Sequence, residues 1–238
     1  MTDPESGAVA GEQLTLNVQL RDEATLDNFK TLEGVEPLVA SLESVVAGGD
    51  ESSLFIHGPP DSGRTHLLQA ACHACSGRAL YLPLQDFARH GAEQVLQGAE
   101  TLDLVAIDDL HTIAGQKTWE QGLFSLFNAA RAGGCRLLFA ADGAPSTLGI
   151  QLADLRSRLE WGAIFRLPSL SDEEKRLIFE FRAERRGLRL GPDTVDYLFR
   201  RAPRGLNSLM ALLEQLDRAS LKEKRGLSIP FVREALGW

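Results

Sequence analysis

The sequence predicts an α/β protein: a parallel five-stranded sheet flanked by helices, followed by a small all-helical domain. Three observations carry this reading. Apolar runs of strand length alternate with helix-periodic segments between residues 53 and 167, the pattern of a parallel sheet covered on both faces. The first run ends in a Gly/Pro-rich turn that opens straight into a helix, SLFIHGPPDSGRTHLLQA at residues 53–70. After Pro168 the strand pattern stops and helical patterns follow one another to the end.

Taken in order, residues 1–12 are small, polar and without periodicity, and predict a disordered tail. QLTLNVQL at 13–20 alternates Leu14, Leu16, Val18 and Leu20 with polar residues; alone, this favours an edge strand over an extended peptide docking on another protein. Residues 22–30 are polar, with Leu26 and Phe29, and 35–46 reads as a helix. After the strand at 53–57 and the helix from Thr65, strands are expected at 79–84, 102–107, 136–141 and 163–167, and helices at 86–97 and 118–132. SLSDEEK carries the Ser-x-x-Glu capping box at Ser171, opening a helix that Gly187 ends. Helices at 192–201 and from Leu206 follow, and a short terminal element at 229–236 completes the chain. The expected organisation is a tail over 1–20, an α/β base over 21–168 and a helical domain over 169–238.

Composition narrows the function classes. With 44% hydrophobic and 24% charged residues in 238, the chain can bury a sizeable core. Its net charge of −8 makes tight binding to bare nucleic acid unexpected. Three cysteines make no secreted-type framework, no stretch has transmembrane length, and the start, MTDPESGAVAGEQ, lacks a signal region. A reducing cytoplasm and no membrane partner are the expectation.

The chemistry-bearing stretch runs from Gly58 through Pro60, Asp61, Ser62, Gly63, Arg64 and Thr65 to His66. It matches the phosphate-loop spacing G-x-x-x-x-G-[K]-[ST], with Arg64 in the lysine position. Free N–H groups of the turn and first helical turn form a diphosphate-sized anion site, and Thr65 offers a hydroxyl to Mg²⁺. Arginine is a bulkier planar fork than lysine, so the site is expected to bind nucleotide but hydrolyse it poorly. In LVAIDDLH, Asp108 is the candidate Mg²⁺ carboxylate and Asp109 the candidate to orient a water. Asp142, after RLLFAA, reads equally as a phosphate sensor or an Asp-Gly turn. Arg156 and Arg158 read by spacing as a surface pair. Cys72 and Cys75 fall on the inner face of the loop helix and read as packing rather than zinc ligands. RAERRGLR at 182–189 reads as a solvated helix face.

GPPDSGRTHLL, AIDDLH, LLFAADGAP, DLRSRLEWG, LPSLSDEEK and EQLDRAS resemble, in this order, the AAA+ module of the bacterial replication initiator DnaA and look closest to its short, Hda-like branch. The resemblance covers roughly 13–238 and includes the Gly-Arg-[Ser/Thr] loop ending. It implies an AAA+ P-loop base with a helical lid that binds ADP, with Mg²⁺ and other nucleotides left open. It further implies docking on the DNA polymerase III sliding clamp and stimulation of ATP hydrolysis by DnaA, limiting repeated initiation. The clamp-binding peptide would be Gln13, Leu14, Thr15 and Leu16, followed by Asn17 where an apolar residue is usual. Arg158 matches the arginine finger supplied in trans, Asp142 the sensor position, and Asn28 and Phe29 the linker that approaches adenine. The lid arginine of the family falls at Asn207, with Arg204 one turn earlier as a substitute.

The alternative is a self-sufficient ATPase such as a helicase loader, which Arg64 disfavours. A DNA-binding initiator is disfavoured by the charge and by the lack of a helix-turn-helix pattern up to Trp238. Homo-oligomerisation stays open.

Overall fold

A computed structural model describes residues 20–238; the expected tail and the peptide at 13–16 lie outside the described residues. The elements run α1 (Glu36–Ala47), β1 (Ser53–His57), α2 (Arg64–Ala74), β2 (Ala79–Pro83), α3 (Leu84–Phe87), α4 (Ala92–Leu96), β3 (Leu104–Asp108), α5 (Lys117–Gly133), β4 (Arg136–Ala141), α6 (Ala153–Leu159) and β5 (Ala163–Arg166). The helices α7 (Asp172–Arg185), α8 (Pro192–Arg201), α9 (Leu206–Glu223) and α10 (Ile229–Leu236) follow.

The five strands form one sheet in the order β2-β3-β4-β1-β5, and every pairing is parallel. Parallel neighbours need crossovers, and the intervening helices cover both faces of the sheet. Side chains that alternate along a strand therefore enter two different cores. Phe55, Leu137 and Phe139 pack with Trp119, Leu123 and Phe127 of α5. Leu54, Ile56, Leu138 and Ala140 pack with Leu67, Leu68 and Leu42 of the opposite helices. A third core draws on α7 to α10 alone, with Phe179, Leu198, Leu213, Leu216 and Phe231 at its centre. The lid is thus an all-helical unit with its own apolar interior. The capping box at Ser171 forms in both directions: Glu174 N–H donates to Ser171 Oγ at 3.1 Å, and Glu174 Oε2 accepts from Ser171 N–H at 2.7 Å.

One expected element differs. Residues 86–97 do not form a single helix but two short ones, α3 and α4, separated at residues 88–91. Gly91 takes an extended conformation (φ −68°, ψ 127°) and starts α4 afresh, a break that glycine adopts at little steric cost.

Between α5 and α6 the chain turns on a buried carboxylate. Glu120 is 1% exposed, and its oxygens accept from the backbone N–H groups of Gly115 (2.7 Å), Gln151 (3.1 Å) and Leu152 (2.7 Å). It thereby pins the loop that launches α6, the helix that bears Arg158. Nothing in the amphipathic pattern of 118–132 distinguishes Glu120 from a solvated acid.

Candidate functional site: a phosphate loop under a helical lid

β1 delivers the chain into the turn at Gly58, which lies too close to Leu167 for any side chain: a Cβ there would meet the Leu167 carbonyl oxygen at 2.6 Å. Gly63, the last residue before α2, is left-handed at φ 97°, and a Cβ would meet the Phe29 ring at 3.1 Å. Both glycines are therefore required by the path. Asp61 is also left-handed, at φ 62°, a conformation that Asp tolerates better than most residues. The turn carries two buried polar atoms, Ser62 Oγ and Arg64 Nη1, with no hydrogen-bond partner among the described residues. Buried donors without acceptors are costly, and an anion seated in the turn would satisfy both.

Thr65, in the first turn of α2, donates its hydroxyl to Asp108 Oδ2 at 2.7 Å. Asp108 is 1% exposed and also accepts from the Tyr81 hydroxyl at 2.9 Å and from Asp109 N–H at 2.9 Å. Its carboxylate is thus fixed from three sides beside Thr65. A hydroxyl and a carboxylate, with phosphate oxygens to complete the shell, suit a hard cation such as Mg²⁺. No cluster of three or more His, Cys, Asp or Glu side chains among the described residues makes a metal site by itself. Asp109 sits at φ 55°, and burial together with the neighbouring Asp108 pushes its carboxyl above the usual carboxylate range.

Above the loop lies a cavity of about 920 Å³ between the base and the lid. The loop residues Asp61 to His66 form its floor, with Asn28 and Phe29 on one wall and Leu206, Asn207 and Met210 of α9 on the lid side. The linker before α1 is tied down at several points. His66 Nε2 donates to the Thr25 carbonyl at 2.9 Å, and burial lowers the His66 pKa below the usual imidazole range. Arg182 Nη1 donates to the Asn28 carbonyl at 3.2 Å, and Arg182 and Arg186 both pair with Glu23. Burial works against ionisation of Glu23, but the two guanidinium groups outweigh it and hold its pKa below normal.

Residues 22–166 match the bacterial DnaA ATPase domain family, and residues 172–236 match the Hda lid domain family. The chain belongs to the Hda/DnaA-related AAA+ family. An uncharacterized protein of Haemophilus influenzae is 38% identical over 229 residues, covering 94% of this chain and 98% of its own length. Domain III of Thermotoga maritima DnaA superposes with a TM-score of 0.74 at 21% identity, over 92% of this chain and 98% of that one. AMPPCP-bound Aquifex aeolicus DnaA gives a TM-score of 0.68 at 25% identity, over 86% of this chain and 71% of that one. A DnaA-like AAA+ fold implies nucleotide binding.

In this Hda/DnaA-related chain, the cavity gathers Asn28, Phe29, Asp61, Ser62, Gly63, Arg64, Thr65 and His66. Gly58 lies behind the loop and Pro60 on its exposed side, outside the lining. Asp142 stands exposed at the tip of β4, with Oδ1 3.8 Å from His111 Nδ1. Arg204 does not reach the cavity. It is exposed and pairs with Asp172 at the start of α7, whereas Asn207 lines the cavity and donates to Asp61 Oδ1 at 2.5 Å. The position that the resemblance gives to the lid residue is the one that meets the loop, and Arg204 is paired elsewhere. Gln13, Leu14 and Leu16 lie outside the described residues.

The basic run at 182–189 is corrected. Arg182 is 6% exposed and lines the cavity, because it follows Phe179 by three residues and precedes Ala183 on the buried stripe of α7. That placement on the apolar face was the available signal, obscured by the surrounding charges.

If Arg64 Nη1 is an unfilled anion donor, Arg64→Ala is expected to weaken ADP binding about 10- to 100-fold, the scale of a lost charge-assisted hydrogen bond. Titration calorimetry measures this, and unchanged affinity would remove Arg64 from the phosphate site.

Proposed function

We propose that this chain is an ADP-holding regulator of replication initiation that stimulates ATP hydrolysis by DnaA through Arg158 supplied in trans. DnaA-related regulation or replication initiation is the role its family indicates; the finer statement is ours. The observation that carries it is the position of Arg158. It lies on α6, outside the lining of the chain's own cavity, with no carboxylate partner among the described residues. Among the described residues Arg158 has no contact with the loop that floors the cavity, whereas Asp108 meets that loop through Thr65, and this supports a role for Arg158 on another molecule's phosphates. Arg64 in the lysine position supports the same division, since its fork can grip a diphosphate without following the charge of a transferred phosphoryl group. Thr65 and Asp108 are the residues that would hold Mg²⁺, which would neutralise phosphate charge. Gln13, Leu14 and Leu16 would dock the chain on the sliding clamp, concentrating it where DnaA acts.

The test is ATP turnover by DnaA with the clamp loaded on DNA, with and without this chain carrying ADP. Addition of the chain is expected to accelerate hydrolysis. Gln13→Ala combined with Leu16→Ala is expected to abolish clamp binding and most of the acceleration while leaving ADP affinity intact. Unchanged clamp binding would return 13–20 to the reading of an internal strand.

The second reading, a self-sufficient ATPase, draws on the intact pairing of Thr65 with Asp108 and on the raised pKa of Asp109. Appreciable turnover of ATP by the purified chain alone would favour it.

A further inference from the structure

Trp161 lies just after α6 and is 54% exposed, a large apolar plate on the surface. Two guanidinium groups rest on it. Arg158 Cζ lies 3.8 Å from the ring centre and Arg131 Cζ lies 4.5 Å from it. Arg158 comes from the last turn of α6 and Arg131 from the last turn of α5. The packing of α5 against α6 brings them together, with Leu155 and Leu159 of α6 and Leu126 of α5 buried in the same core. Neither guanidinium has an ion-pair partner among the described residues, whereas Arg176, Arg182, Arg204, Arg218 and Arg225 are all paired with acids.

An indole face attracts a cation, but two cations on one ring repel each other. The arrangement gathers two guanidinium groups at one exposed indole with no ion pair to either of them among the described residues. Planar guanidinium forks match phosphate oxygens in pairs, and an anion brought to this point would relieve the repulsion. Trp and Arg are also the residues most enriched at the energetic centres of protein interfaces. The charge, the exposed aromatic and the shared origin at the α5–α6 corner all point to a polyphosphate carried on another protein.

We propose that Trp161 is a positioning residue that holds the half-buried Arg158 guanidinium in one pose against its ring, and that Arg131 is a second docking guanidinium at the same indole, an assignment that rests on Arg158 acting in trans. The occupant of this face is the nucleoside triphosphate bound by an AAA+ partner. The indole restricts Arg158 before encounter, so less side-chain freedom is lost when the phosphate arrives. Arg131 adds attraction for the anion without reaching the reacting atoms.

The test uses the full chain loaded with ADP, the clamp on DNA, and DnaA carrying labelled ATP. The maximal rate of hydrolysis and the chain concentration giving half of it are measured for Trp161→Ala, Trp161→Phe, Arg131→Ala and Arg158→Ala. Trp161→Ala is expected to lower the maximal rate about 10- to 100-fold through misplacement of the guanidinium, with ADP affinity unchanged. Trp161→Phe keeps an aromatic face and is expected to restore most of the rate, which a merely structural role would not predict. Arg131→Ala is expected to raise the half-saturating concentration about two- to fivefold and to flatten its salt dependence, with the maximal rate kept. If Trp161→Ala fails to fold, the Phe and Arg131 variants decide. Wild-type behaviour of the Trp161 and Arg131 variants beside an inactive Arg158→Ala would overturn the positioning role and leave the trans role standing. Full activity of Arg158→Ala would overturn both. ATP turnover by this chain alone that rises with its own concentration and is lost in Trp161→Ala would assign the face to a second copy.

Discussion

Arg158→Ala is expected to lower stimulated hydrolysis of DnaA-bound ATP by about 10³-fold or more, the scale of an arginine supplied in trans to a phosphoryl transition state. The nucleotide site of the chain itself should be untouched, because Arg158 takes no part in lining the cavity. The fold should also survive. α6 is anchored by Leu155 and Leu159, which are 0% and 2% exposed, and Arg158 contributes only its stack on Trp161. Arg158→Lys is expected to recover little. A lysine keeps the charge but loses the fork that spans two phosphate oxygens and stacks less well on the indole. Measurement of ADP affinity and of DnaA turnover on the same preparation separates loss of the finger from loss of the protein.

Glu120→Ala carries the largest expected effect on stability, about 3–5 kcal/mol, because it strands several buried donors at once. Gly115, Gln151 and Leu152 each direct a backbone N–H at this carboxylate, and the methyl group of alanine accepts nothing. The melting temperature should fall by roughly 10 °C for a chain of this size. Glu120→Gln should fall between, since it keeps one acceptor oxygen but turns an NH₂ donor toward N–H groups. The effect should reach function as well, because the N–H groups of Gln151 and Leu152 lie just before α6. Calorimetric melting of both variants checks this; a melting temperature within a degree or two of the parent chain would contradict it.

Much of this architecture was legible because local rules and tertiary structure agree. The five apolar runs read as parallel strands, of which β3, β4 and β1 are central and β2 and β5 form the edges, and the turn between Gly58 and Gly63 announced itself through spacing that backbone geometry demands. The capping box at Ser171 marked the start of α7 to the residue. What escaped was burial of charge. Arg182 and Glu120 look like solvated residues until partners distant in sequence, Glu23 and Gln151, are brought to them. No periodicity encodes such pairings. Arg204 is the converse case: an exposed residue one turn before Asn207 that pairs with Asp172, while Asn207 meets Asp61 of the loop. The break at residues 88–91 has a local signal in Gly91, which is unfavourable within a helix and starts α4 in an extended conformation.

The division of labour between a nucleotide held and a nucleotide consumed is most directly tested by a single-turnover experiment. DnaA is loaded with ATP labelled on the γ-phosphate, this chain is loaded with ADP, and phosphate release is followed on clamp-bearing DNA. Release that depends on the chain, matches the DnaA-bound ATP in amount, and leaves the ADP on this chain unexchanged is the predicted result. Phosphate release that instead tracks ATP bound to this chain, with DnaA's label retained, would contradict the account.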